Sequence, residues 1–390
     1  MVFQNVVVLF IAIYALAITI TMLVYQSAPS CNAVEHTRLR LWPDRLTLEE
    51  PCNSSDGKIG LTVHCLLKDV DGPKGNSKSE PGAGYSDPYF CNRQGRRLVD
   101  QPGKTLVHTF APHVAKRADT RKDVLLLLSF LATQPASSQL VLWHQAGEYP
   151  KYLDSLLPKR LLGEIEIKSF SAKEFWKIDM SSESKHRLFK EWLSAHRAGK
   201  TDIARFVILY LYGGIWIDTD SLLLRDLAPI RNTNFIYQVL NYDGTNETGF
   251  LNGAIMGTEG AMSQFIENML LYVDRRLVMD PSDKNYFRWA ESMFKILYQR
   301  NKENYPLLPG CLVDGGWFLK MDEPNAQPAE WGSFFSKQAT ESEFMYIDPR
   351  SAKSNAPFVY HWHGHWEDKI VNGSVADRAD LLYRELLGIV

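Results

Sequence analysis

The sequence predicts an α/β fold organised around a mostly parallel sheet, and two observations support this prediction. Residues 105–110 (TLVHTF) are typical of a short buried strand, residues 123–132 of a helix and residues 139–143 (QLVLW) of a second strand, an order that favours parallel pairing. Hydrophobic residues make up 45% and charged residues 23% of the 390 residues, as in ordinary globular chains. The net charge of -2 argues against a nucleic-acid partner.

The N-terminal residues predict a membrane anchor. Residues 6–25 form a largely apolar run of about the ~20 residues that cross a bilayer, with no charged side chain in it or before it. A cleavable signal peptide is the alternative, but its apolar core is usually only about 7 to 15 residues long. Residues 68–104 hold six Gly and four Pro without periodicity, as in a flexible stem. We therefore predict an anchor over residues 1–30, a stem over 31–104 and one folded domain over 105–390.

Two signals disagree about the orientation of this anchor. Arg38 and Arg40 follow the apolar run and no basic residue precedes it, a bias that would keep the following chain in the cytosol. Asn53, Asn246 and Asn372 each begin an N-glycosylation tripeptide, and such sites are used only in the lumen. Giving the three tripeptides more weight, we predict a type II membrane protein with a lumenal, glycosylated body.

Five cysteines fit neither a CxxC zinc pattern nor a dense disulfide framework. Four of them precede the main body, where disulfides can brace the stem, and Cys31 beside the membrane can join two chains into a homodimer. Buried free thiols are the alternative.

Two further elements continue the α/β pattern. Residues 164–170 (EIEIKSF) alternate as a third strand does, and residues 184–198 predict a helix with Leu188, Trp192 and Leu193 on one face.

The most informative stretch is residues 201–227 (TDIARFVILYLYGGIWIDTDSLLLRDL). Thr201 or Asp202 can cap a helix, the pair Gly213 and Gly214 can end it, and residues 215–217 predict a strand directly afterwards. Open α/β sheets bind their ligands at the carboxyl ends of their strands, so the residues after this strand are candidate site residues.

Asp218 and Asp220 follow the predicted strand, separated by one residue. Because side chains alternate along an extended chain, the two carboxylates point the same way. With no adjacent base to neutralise them, they suit Mg²⁺ or Mn²⁺ bridging a diphosphate. A solvated turn without a ligand is the alternative, because such triplets also occur by chance.

Asp202 and Arg205 share one face of the preceding helix, near its N-terminus, where free N–H groups favour an anion. Arg205 can meet a phosphate or hold one of the two aspartates, and Asp202 can accept from ribose hydroxyls. An ordinary intrahelical ion pair is the alternative.

The stretch YHWHGHW, residues 360–366, predicts a source of imidazole ligands. On a strand, His361, His363 and His365 would share one face and could serve a metal. A three-His zinc site and simple surface histidines are the alternatives.

The string TDIARFVILYLYGGIWIDTD resembles the sugar-binding region of the Golgi glycosyltransferases that include the initiating α-1,6-mannosyltransferase of yeasts and the α-1,4-galactosyltransferase of glycolipid synthesis. Their pattern is SDxxRxxxLxxxGGxYxDxD. Thr201 replaces a common Ser and Trp216 a common Tyr. The resemblance implies a GT-A type fold and a Golgi location. The Gly-Pro segment usual in the family has no convincing match here.

The resemblance also implies roles for individual residues. Asp218, Asp220 and Arg205 would be catalytic, and Asp202, Arg205, Asp218, Asn252 and Trp366 would bind the donor. Asp218 and Asp220 would hold Mn²⁺ (or Mg²⁺), completed by His361 or by His365, which stands where the family usually has Ser.

The sequence therefore predicts a glycosyltransferase that passes a hexose from a nucleotide-diphosphate sugar to a glycan or glycolipid, with retention of configuration. A non-catalytic carbohydrate-binding protein of the same fold is one alternative, favoured if His365 in place of Ser disables the metal site. A phosphohydrolase is the other, because IDTDSLL resembles a DxDxT nucleophile turn.

Overall fold

A computed structural model of the chain describes residues 103–111, 119–195, 197–238, 251–279, 293–294, 296–297, 307–308, 312–313, 332–351 and 358–389. The predicted membrane helix, the stem up to residue 102, all five cysteines and two of the three glycosylation tripeptides lie outside these ranges. The third, at Asn372, is described and exposed. In the part of the chain that is described, no helix is both long enough and apolar enough to cross a membrane.

A seven-stranded mixed sheet forms the centre of the described structure, in the spatial order β3-β2-β1-β4-β7-β6-β8. β1, β2, β3 and β4 run parallel, β7 is antiparallel to both β4 and β6, and β6 and β8 are parallel. A separate two-stranded antiparallel ribbon joins β5 to β9. The strands are β1 Leu106–Phe110, β2 Gln139–Gln145, β3 Ile165–Phe170, β4 Gly214–Ile217, β5 Ser221–Leu223, β6 Phe235–Gln238, β7 Leu251–Thr258, β8 Leu307–Leu308 and β9 Val359–His361.

The helices connect these strands and cover the sheet. Longer helices precede β2, β4 and the C-terminus, and short ones fill the connections around β3 and β9. They are α1 Lys122–Thr133, α2 Leu153–Leu156, α3 Lys159–Leu162, α4 Ala172–Trp176, α5 Ser182–Ser194, α6 Arg197–Tyr212, α7 Gln264–Met279, α8 Ser333–Ser336, α9 Glu341–Met345 and α10 Val375–Leu386. The predicted α/β class and the parallel pairing of the first strands are confirmed; the antiparallel half was not predicted.

Two local predictions are wrong. Helix α6 begins at Arg197, so Thr201 and Asp202 lie inside it and do not cap it. Helix α5 ends at Ser194, and its buried face includes Leu188 and Trp192 while Leu193 is 52% exposed. Apolar periodicity locates a helix better than it locates its ends, because fraying and capping depend on the neighbouring chain.

The turn between α6 and β4 depends on its two glycines, as predicted. Gly213 and Gly214 have φ angles of 69° and 89°, which only glycine adopts freely. A Cβ at Gly214 would also lie 2.5 Å from the carbonyl oxygen of Leu106 in β1. The turn therefore allows β4 to pack closely against β1.

A buried histidine fastens the same turn to the sheet. His108 in β1 accepts a hydrogen bond at Nδ1 from the Trp143 indole at 3.2 Å, and its Nε2 lies 3.1 Å from the carbonyl oxygen of Gly213. Burial lowers the pKa of His108 to about 3, so the ring is neutral. Since Nδ1 accepts, the proton is on Nε2 and is donated to Gly213.

Candidate functional site

Two distant segments meet where β4 ends. The chain leaves β4 at Ile217, passes through Asp218 and Asp220, and enters β5 at Ser221. Because β5 pairs with β9 with Ser221 opposite His361, the ribbon brings that imidazole beside the two carboxylates.

Asp218, Asp220 and His361 form a compact group. One ligand atom from each residue lies within 4.8 Å of the other two. His361 is buried and the two aspartates are half-buried. Two carboxylates and one imidazole at this separation can hold a divalent cation.

Arg205 holds Asp218 from the side of helix α6. Its Nη2 lies 3.0 Å and 3.1 Å from the two carboxylate oxygens of Asp218 and 3.1 Å from Oδ1 of Asp202. The Arg205 side chain is only 6% exposed and lies over the Trp216 ring, whose N–H donates to Asp218 Oδ1 at 2.5 Å. Arg205 therefore holds an aspartate, which is one of the two roles that the sequence allowed, and Asp202 is its second partner.

Strand β7 leaves room for this arrangement. A Cβ at Gly253 would lie 2.5 Å from Nη1 of Arg205, so a side chain at this position would have to displace the guanidinium. The Ala254 carbonyl accepts from the Asp218 N–H at 2.8 Å, and the Ala254 N–H donates to Oδ1 of Asn252 at 2.7 Å. Asn252 thus lies two residues from the backbone contact that Ala254 makes with Asp218; its donor-binding role stays a prediction.

Asp220 is held from the C-terminal segment. Its Oδ2 accepts the Gly364 N–H at 2.6 Å and faces Nε2 of His361 at 3.2 Å, while its backbone carbonyl accepts the Trp362 N–H at 3.0 Å. Each carboxylate therefore has a basic partner that is not adjacent to it in sequence: Arg205 for Asp218 and His361 for Asp220.

The pKa values of Asp218 and Asp220 are shifted in opposite directions. Burial raises the pKa of Asp218, against the lowering effect of Arg205. Burial also acts on Asp220, but there the charge of His361, its hydrogen bond and the Gly364 N–H outweigh it and hold the pKa below the ordinary value. Asp220 is therefore the more firmly ionised of the two.

The three histidines of residues 360–366 do not share one face. Strand β9 ends at His361, and His363 and His365 have left-handed φ angles of 52° and 42°. The His363 ring packs on His361 with centroids 4.1 Å apart. His365 is exposed, pairs through Nδ1 with Asp368 at 3.0 Å, and lies outside the three-residue group. Of the two imidazoles offered for the metal, the structure brings His361 to the carboxylates.

Trp366 lies near the group in sequence but contacts the core. It is half-buried and its ring meets Trp362 edge-on at 6.1 Å between centroids. Its donor-binding role stays a prediction.

The loop after β9 is fastened to helix α1 by contacts that sequence reasoning missed. The Lys122 amine donates to the His365 carbonyl and lies 3.5 Å from the centroid of the Phe335 ring. Arg121 bonds Asp377 at 2.7 Å and the Ile370 carbonyl at 3.3 Å. The sequence around Arg121 and Lys122 does not indicate which residues they contact, because these partners lie about 250 positions away.

Residues 125–236 match a family model, the glycosyltransferase sugar-binding region containing a DXD motif. The matched segment includes Arg205, Asp218 and Asp220 but not His361. Residues 125–236 therefore carry a sugar-binding region like that of DXD-type glycosyltransferases. The predicted enzyme class is confirmed, and the mixed sheet is a GT-A-like α/β fold. The match does not distinguish the mannosyl- and galactosyltransferase group named above, which stays a prediction.

Solved structures that resemble the chain include several glycosyltransferases. The PaToxG glycosyltransferase is 15% identical with a TM-score of 0.39, over 69% of this chain and 93% of its own. GlyE of Streptococcus pneumoniae is 14% identical with a TM-score of 0.40, over 74% and 63%. Mouse xyloside xylosyltransferase 1 is 13% identical with a TM-score of 0.39, over 68% and 99%. No curated protein sequence matches the chain. TM-scores this low carry no argument about function, so the enzyme class of the chain is assigned from the match to the DXD region.

The site geometry also bears on the alternatives. The non-catalytic hypothesis depended on His365 as a defective ligand, but the imidazole beside the carboxylates belongs to His361. The phosphohydrolase hypothesis requires an aspartate free to attack a phosphate, whereas Asp218 is bound by Arg205 and by the Trp216 indole.

Proposed function

We propose that this glycosyltransferase is metal-dependent and moves a hexose from a nucleotide-diphosphate sugar to a glycan or glycolipid. The supporting observation is the group of Asp218, Asp220 and His361, with ligand atoms within 4.8 Å. Retention of anomeric configuration is proposed from the family resemblance.

The donor set fits Mn²⁺, with Mg²⁺ as the alternative. Carboxylate oxygens suit both ions, and the added imidazole favours the softer Mn²⁺. The hydrogen bond from the Gly364 N–H and the contact with His361 Nε2 both fall on Oδ2 of Asp220. When bound, the cation offsets the negative charge that develops on the departing diphosphate.

The protein's own groups act by orientation and charge. Arg205 fixes the Asp218 carboxylate and favours its ionised form against the opposing effects of burial and of the neighbouring Asp220. His361 and the Gly364 N–H do the same for Asp220. Preorganised charges of this kind cost no rearrangement during the reaction. Asp202, Asn252 and Trp366 are proposed donor contacts on the basis of the resemblance.

We further propose that the protein is a single-pass type II protein of the Golgi membrane. The apolar run at residues 6–25, the glycosylation tripeptides and the family resemblance support this location. The exposed position of Asn372 is consistent with modification there. A homodimer through Cys31 belongs to the same proposal. Endoglycosidase treatment of the expressed protein should increase its gel mobility, and protease sensitivity from the cytosolic side without any shift would contradict the topology.

A donor screen tests the activity itself. We expect hydrolysis or transfer from one nucleotide-diphosphate hexose in Mn²⁺, loss of that activity in excess EDTA, and recovery on adding Mn²⁺ back. Activity that persists in EDTA would contradict the metal assignment while leaving the transferase class intact.

A further inference from the structure

Tyr237 contacts the edge of the His361 ring that faces away from the carboxylates. Its hydroxyl lies 2.7 Å from His361 Nδ1, while Nε2 of the same ring lies 3.2 Å from Asp220 Oδ2. Both aromatic side chains are buried, and their rings meet edge-on at 87° with centroids 6.0 Å apart. The hydroxyl, the imidazole and the carboxylate thus form one line of contacts into the metal-binding group.

The backbone fixes the position of this hydroxyl. Tyr237 lies in β6, between β7, where it pairs with Asn252, and β8, where it pairs with Leu308. The β6–β7 register shifts between Ile236 and Tyr237, and such irregularities commonly redirect a side chain. A residue of the central sheet therefore supports a histidine that belongs to the separate β5–β9 ribbon.

The chemistry of a metal-bound imidazole explains why a hydroxyl is suited to this position. The coordinating nitrogen presents a lone pair, and the other nitrogen then carries the hydrogen and needs an acceptor. Without a cation, Nε2–H can donate to Asp220 and Nδ1 then needs a donor. A tyrosine hydroxyl can accept or donate, so it satisfies Nδ1 in both tautomers.

We infer that Tyr237 is a positioning residue of the metal site: it holds the His361 ring so that Nε2 faces the cation shared with Asp218 and Asp220. The inference rests on the proposed metal-dependent function. Removing the hydroxyl would leave a buried ring nitrogen without this partner, and partners of metal-ligating histidines typically change metal affinity by about 10- to 100-fold.

The test compares Tyr237→Phe with a matched Tyr→Phe control in the purified full-length chain. Tyr383 is buried like Tyr237, and its hydroxyl donates to the carbonyls of Leu223 at 3.2 Å and Ile347 at 3.1 Å, neither of which belongs to the metal-binding group. Calorimetric titration with Mn²⁺ should show affinity about 10- to 100-fold weaker for Tyr237→Phe. Tyr383→Phe should bind Mn²⁺ as the wild type does, although its melting temperature falls.

Two further readouts separate positioning from general damage. Saturating Mn²⁺ should return the turnover of Tyr237→Phe to near the wild-type value, which a merely structural defect would not allow. In a His361→Ala background, Tyr237→Phe should cause no additional loss of Mn²⁺ affinity.

The outcomes distinguish the two proposals. If the wild type binds no Mn²⁺, the metal-dependent function and this inference both fail. If the wild type binds Mn²⁺ and Tyr237→Phe binds it equally well, or loses affinity equally in the His361→Ala background, the inference alone is overturned.

Discussion

The two aspartates of the site are one residue apart, yet they are held by different parts of the chain. Asp218 is fixed by Arg205 and Trp216, which lie 13 and two positions away, whereas Asp220 is fixed by Gly364, 144 positions away, and by His361. Neighbours in sequence restrain the first carboxylate, and pairing of the β5–β9 ribbon restrains the second. One short motif therefore combines two halves. The local half is Asp218 with its partners Arg205 and Trp216, and the long-range half is Asp220 with its partners His361 and Gly364.

The largest effect should come from the long-range half. Asp220→Asn keeps the volume of the side chain but removes the charge that faces His361, so turnover should fall about 100-fold or more, equivalent to ~3 kcal/mol of transition-state stabilisation. The fold should survive, as judged by the melting temperature. A well-folded Asp220→Asn protein with full donor-hydrolysis activity would exclude the DXD mechanism.

A smaller loss of activity is expected from a substitution that displaces Arg205, the partner of Asp218. Gly253→Ala places a methyl group 2.5 Å from the Arg205 guanidinium, which is buried and must shift, so stability should fall by about 1–3 kcal/mol and activity with it. Gly260→Ala is the matched control, because an added Cβ there meets nothing within 4 Å. Equal melting temperatures and activities for the two variants would show that Arg205 does not depend on the space at Gly253.

Acid should weaken the attachment of β4 to the sheet. His108 has a pKa of about 3 in the fold against an ordinary value of 6.5. The stability that its neutral ring contributes is therefore fully present above pH 6.5 and is lost as pH falls toward 3. The limiting slope is about 1.4 kcal/mol per pH unit in the free energy of unfolding. Denaturant unfolding between pH 5 and pH 7 measures how the free energy of unfolding changes with pH. This dependence should be weaker for His108→Gln than for the wild type. Identical slopes would assign the acid sensitivity to other groups.

The smallest effect should follow from His365→Ser. His365 is outside the metal-binding group and its exposed pair with Asp368 contributes within about 0.5 kcal/mol. We expect turnover and Mn²⁺ affinity within about twofold of the wild type. A loss comparable to that of Asp220→Asn would instead make His365 the ligand and would reverse the comparison between the two halves.

Sequence reasoning reached the local half because its signals are short-range. Arg205, the glycine pair and the two aspartates lie in one helix–turn–strand unit. The geometry of this unit is set within about twenty residues, so the spacing of these residues predicts it. Hydrophobic alternation likewise predicted the parallel strands. The boundary of α6 was missed because residues 197–200 carry no apolar periodicity.

The long-range half was predicted only as a choice between His361 and His365. A strand pattern continued through residues 360–366 puts alternate histidines on one face, but the left-handed angles at His363 and His365 break that alternation. Tyr237 and the Gly364 N–H gave no signal, because their roles arise from the register of β6 and from a backbone turn. Such contacts depend on tertiary pairing, which no local pattern encodes.

The β5–β9 ribbon has a consequence for synthesis. Because His361 and Gly364 lie near the C-terminus, the segment 125–236 that carries the family signature cannot by itself enclose a cation. Residues 361–364 must leave the ribosome before Asp220 acquires these partners, and closing a loop of about 140 residues is slow compared with forming a helix. A chain truncated before His361 would lack both of these partners of the Asp220 side chain, and we expect it to lose the proposed metal site.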